Sequence, residues 1–79
     1  MQTDKEFNER LGASVDLAIT QSGRSRLSIA RESGIPKETL RRRLDGHGAE
    51  FGANELRSIA RTLGADAGKW FTDAEQVAA

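Results

Sequence analysis

The chain has 79 residues with no cysteine and one histidine, and its twelve basic side chains are balanced by twelve acidic ones. That length gives one domain near the lower end of what a single apolar core holds together; the missing cysteines exclude disulfides and thiolate metal sites, and with a single histidine a zinc cluster is excluded too. No apolar run approaches the ~20 residues of a membrane span, and the polar, acidic N-terminus lacks signal-peptide character, so a soluble, cytoplasmic protein without a membrane partner is expected.

The zero net charge conceals a polarised distribution. Residues 1–23 carry a balance of −2, residues 24–43 a balance of +5, and residues 44–79 a balance of −3. Screening confines such fields to within ~10 Å, so the basic block acts locally whatever the total.

Taken in chain order, the elements are all helical. The stretch TDKEF is a capping box, in which Thr3 accepts from the Glu6 backbone and the Glu6 carboxylate reaches back. Phe7, Leu11, Val15, Ala18 and Ile19 then recur at helical spacing, one apolar stripe down a helix of about five turns ending at Gly23. Ser25 caps a short second helix with Leu27, Ile29 and Ala30 facing inward, ended by Gly34. A third helix runs from about Pro36 to Asp45, since proline is tolerated at a helix start, with Leu40 and Leu44 on its inner face. Gly46, His47 and Gly48 form a loop, after which Phe51 plugs the core.

A fourth helix opens at Gly52 or Ala53, places Leu56, Ile59, Ala60 and Leu63 inward, and closes at Gly64. A last short helix over Asp66–Thr72 offers Trp70 and Phe71 as a hydrophobic lid, and the tail from Asp73 is expected to fray. No strand pattern occurs, and the chain has only four aromatic side chains. The expectation is an all-α fold, a compact five-helix bundle forming one domain over residues 1–79.

The spacing of Ala30, Gly34 and Leu40, together with the later string FGANELRSIARTLGAD, resembles the helix-turn-helix regulators of the XRE/Cro type, the phage repressors and Cro-like proteins. The resemblance runs from about Phe7 to Phe71 and implies a lambda-repressor-like fold. Two positions depart from the usual pattern: Arg43 stands where an apolar residue is common, with Leu44 taking over, and Pro36 stands where a polar cap is common. Physical reasons support the core positions independently. Ala30 is small where two helices cross closely, and Gly34 supplies the left-handed conformation that a tight interhelical turn requires.

With Leu40 and Leu44 inward at 100° per residue, Glu38 and Arg42 point most directly outward, Lys37, Thr39 and Arg41 flank them, and Arg43 lies at the core boundary. In resembling proteins this helix enters the major groove, which nominates Lys37, Glu38, Arg41 and Arg42 as base readers. Arg42 suits a bidentate contact to guanine, while Glu38 either accepts from a cytosine amino group or orients a neighbouring arginine. Arg24, Ser25, Arg26, Thr39 and Arg43 are the phosphate candidates, with His47 a minor one. Charged residues on a short helix are ordinarily a solvated face; three consecutive arginines on the helix that the resemblance makes the reader argue for more.

Catalysis is not expected, because the lone histidine lies in a glycine loop and no phosphate-binding glycine motif occurs. No cofactor, metal or small-molecule ligand is expected either. What the resemblance implies is a sequence-specific regulator of double-stranded DNA, a Cro-like protein or immunity repressor acting by operator occlusion. One helix reads few base pairs, so a homodimer on DNA is expected, with the segment Leu63–Val77 as the first place to look for its interface. The alternative is a helix-turn-helix module that docks a protein, as an antitoxin or anti-repressor does, through its acidic flanks and the aromatic pair Trp70 and Phe71.

Overall fold

The first helix begins where Thr3 Oγ1 accepts a hydrogen bond from the Glu6 amide at 3.1 Å, satisfying one of the donors that every helix start leaves unpaired. Among the described residues, this is the only half of the expected capping box that forms. The computed structural model describes residues 3–47 and 50–75, and these form five helices with no strand among them: α1 Asp4–Gln21, α2 Arg26–Ser33, α3 Lys37–Leu44, α4 Ala53–Leu63 and α5 Ala67–Glu75. The Cα radius of gyration of 11.7 Å is that of one packed domain of this length, ~12 Å.

Each helix contributes its apolar stripe to one core. Leu11, Val15 and Ile19 of α1 meet Ile29 and Ala30 of α2, Leu40 and Leu44 of α3, Leu56, Ile59 and Ala60 of α4, and Trp70 and Ala74 of α5. Phe51 enters from the α3–α4 loop as its sequence position implies, and Ile35 is buried in the α2–α3 connection. Each fully buried aliphatic side chain stabilises by about 1.5–3 kcal/mol, and this core contains no buried polar or charged residue among those described. The long α1 packs against α5 and α3, and α2 packs against α3 and α4.

Three expectations need correction. Leu27 does not face inward: it is 41% exposed, because Ile29 and Ala30 already fill the one narrow stripe that a two-turn helix can bury. Phe71 is no lid: it is 38% exposed and stacks on Phe7 with ring centroids 6.1 Å apart. Trp70, by contrast, is buried as expected. The chain does not fray at Asp73, since α5 continues to Glu75 and Ala74 is fully buried; residues 76–79, including Val77, lie outside the described residues, as does Gly48.

Two glycines place α3. Gly34 caps α2 at φ 78°, a left-handed conformation costly for any residue with a Cβ, and the chain turns there into the short Ile35–Pro36 link. Gly12 lets α1 approach the end of α3: a Cβ there would stand 2.5 Å from the Leu44 carbonyl oxygen and 2.8 Å from that of Arg43. The short helix α3 is thus held at its inner face by Leu40 and Leu44 and at its C-terminal end by α1, leaving its opposite face to solvent.

Candidate nucleic-acid interface

The outward face of α3 follows from its inner one. Leu40 and Leu44 are 1% and 4% exposed, and Lys37, Glu38, Arg41 and Arg42 are all exposed while Thr39 and Arg43 are half-buried. Leu44 does take the anchoring place that Arg43 leaves, as the sequence indicates.

The ion pairs divide the nominated cations into two groups, a division that sequence reasoning missed. Arg24 Nη2 lies 2.7 Å from Glu32 and 2.6 Å from Ser28 Oγ, while its Nη1 donates to the Thr62 carbonyl; it fastens α2 to the last turn of α4. Arg26 grips Asp16 with two nitrogens, at 3.1 and 3.0 Å. Ser25 Oγ accepts from the Ser28 amide and so caps α2. Arg41 donates to Glu38 from Nε and Nη2 and lies 3.4 Å from Asp45. Arg43 Nε donates to Glu55 Oε1 at 3.2 Å, and the same oxygen accepts from the Gly52 amide at the start of α4.

Among the described residues, Lys37 and Arg42 make no ion pair, and neither does Arg31 on α2. Glu38 Oε1 accepts both of the Arg41 hydrogen bonds within α3.

The local charge is therefore smaller than the sequence blocks imply. Asp16, Asp45 and Glu55 fold back from the acidic flanks onto Arg26, Arg41 and Arg43, so three carboxylates join the block and its excess of five falls to two. Glu38–Arg41 and Arg41–Asp45 are separated by three and four residues, a spacing that makes neighbours on any helix and was legible in sequence. The partners of Arg26 and Arg43 lie on other helices, where no local signal marks them.

Titration follows the same contacts. The hydrogen bond and charge of Arg41 hold the Glu38 carboxyl below its ordinary 4.5, and Glu38 in turn raises Arg41. Arg26 is raised chiefly by its hydrogen bond to Asp16, against a smaller effect of burial. No three potential metal ligands cluster among the described residues.

A second surface lies away from α3. An open groove of about 400 Å³ between α1 and α5 is lined by Leu17, Ala18, Trp70, Lys69 and Asp73, among others, and Leu17 at its rim is 56% exposed. No helix among the described residues is long and apolar enough to cross a membrane. No family model matches the chain, and no curated protein matches it.

Proposed function

We propose that this chain is a sequence-specific regulator of double-stranded DNA that works by occluding an operator, in the manner of a Cro-like protein or a short immunity repressor. The observation that carries the proposal is the outer face of α3. An eight-residue helix, anchored from beneath by Leu40 and Leu44, presents exposed Lys37 and Arg42, unpaired among the described residues, beside an Arg41 that Glu38 holds in place. A helix fits the major groove, where an extended guanidinium meets the guanine O6 and N7 pair. Ser25 and the first turn of α2 supply the phosphate contacts that set the register, joined by Arg24, Arg26, Thr39 and Arg43 where their internal partners yield. No catalytic step is assigned to any residue. One α3 reads a few base pairs only, so the proposal includes a homodimer on DNA.

The α1–α5 groove with exposed Leu17 favours a second reading, in which the chain docks a protein. Mapping of amide chemical shifts during titration with duplex DNA separates the two. Operator recognition shifts residues 25–26 and 37–43 most. Absence of binding, or shifts confined to residues 14–21 and 65–73, would overturn the DNA proposal.

A further inference from the structure

Five side chains on the side of the proposed interface alternate in charge along one line: Asp16, Arg26, Asp45, Arg41, Glu38. Arg26 closes a two-point grip on Asp16 and lies 3.7 Å from Asp45, whose other oxygen is 3.4 Å from Arg41, and Arg41 ends on Glu38. The row joins α1 to the start of α2 and to both ends of α3, and its sum is one negative charge. All five groups are at least one-third exposed, where ion pairs add little to folding stability. Holding the fold together is therefore a poor account of them. What they do change is how many cations a polyanion finds free.

We infer that this row is a charge lock that suppresses sequence-independent binding, with Asp16, Asp45 and Glu38 acting as specificity-determining residues; the inference rests on the DNA-binding proposal above. Affinity for any duplex comes from cations that neutralise phosphates and release condensed counterions. A phosphate that takes Arg26 or Arg41 must first strip a carboxylate from it, and the bared carboxylate then recruits a cation from solution. Counterion release is cancelled and little is gained. Arg24 and Arg43 are engaged in the same sense with Glu32 and Glu55. The cations of the basic block that pair with no carboxylate among the described residues, and so are left to act on phosphate, are Arg31, Lys37 and Arg42, so the contacts of Arg42 with base edges make up a larger share of binding.

Salt dependence on a random-sequence duplex measures the number directly. Three free cations give a slope of log K against log salt of about −2.7, a loss of about 40-fold between about 50 and about 200 mM salt, whereas all seven would give about −6.3 and roughly 6,000-fold. Replacing the lock with Asp16→Asn, Asp45→Asn and Glu38→Gln together releases two arginines, and the slope should steepen to about −4.5, a loss of about 500-fold over the same range. A matched variant, Glu6→Gln with Glu9→Gln and Glu50→Gln, removes three carboxylates that pair with no arginine among the described residues and should leave the slope near the wild-type value. Asp16→Asn alone, the mildest change, should give part of the steepening should the triple variant fold poorly. A wild-type slope near −6, or equal slopes for the lock and matched variants, would overturn the lock while leaving DNA binding intact. No duplex binding by any of these proteins would instead overturn the DNA proposal itself.

Discussion

Gly12→Ala tests whether the seat of α3 is as tight as its geometry implies. Two effects oppose each other. Alanine in a helix interior is favoured over glycine by about 1 kcal/mol, so at an open position the change would stabilise. At Gly12, however, the new methyl would lie 2.5 Å from the Leu44 carbonyl oxygen and 3.0 Å from the Leu44 carbonyl carbon. These are backbone atoms in the last turn of α3, and the Arg43 carbonyl beside them already accepts from the Gly46 amide. Neither can swing aside as a side-chain tip would. Relief requires α1 and α3 to separate by up to about 1 Å, and overpacking of this kind costs typically 1–3 kcal/mol. The clash should win, for a net loss of up to about 2 kcal/mol.

Urea denaturation should show a lower midpoint at an unchanged slope, and the melting temperature should fall by about 4–8 °C for each kcal/mol. A Gly12→Ala protein as stable as the wild type, or more so, would refute the close approach and with it the way α3 is held out.

Other residues give further expectations. Glu38 should titrate below 4.5 when followed by carbon-detected NMR, and Arg41→Ala should return it to the ordinary range. Because its folded pKa is depressed, the Glu38–Arg41 pair contributes above that ordinary value and is lost as pH falls through the lowered one; an unshifted Glu38 in the wild type would show that the pair does not persist. Glu55→Ala removes one oxygen that serves both Gly52 N–H and Arg43, and should cost about 1–2 kcal/mol in chemical denaturation. A neutral result would mean that water replaces both bonds freely. Ala74→Asp places a charge where the structure has a fully buried methyl, and should cost about 2 kcal/mol or more; unchanged stability would restore the frayed tail expected from sequence.

The architecture was legible to the extent that it is local. Caps at Thr3 and Ser25, the break at Gly34 and the spacing of Leu11, Val15 and Ile19 act within a few residues, and each appears where the pattern places it. Leu27 and Phe71 misled because helical spacing names a face without saying which part of it a neighbour covers. The role of Gly12 was invisible, since only the arrival of α3 makes its lack of a side chain necessary. The same distinction holds for the candidate interface. Which residues of α3 face outward follows from Leu40 and Leu44, but which cations are free depends on Asp16 and Glu55, carried on other helices. Charge summed along the chain therefore overstated the basic face.

The most direct test of the central claim is selection from a random duplex pool by the wild type and by Arg42→Ala. DNA reading by α3 as a dimer predicts a shared palindromic motif, with half-sites about one helical turn apart, that loses information at one base pair per half-site in the variant. Failure of the wild type to enrich any motif, or identical motifs from both proteins, would contradict Arg42 as a reader of sequence.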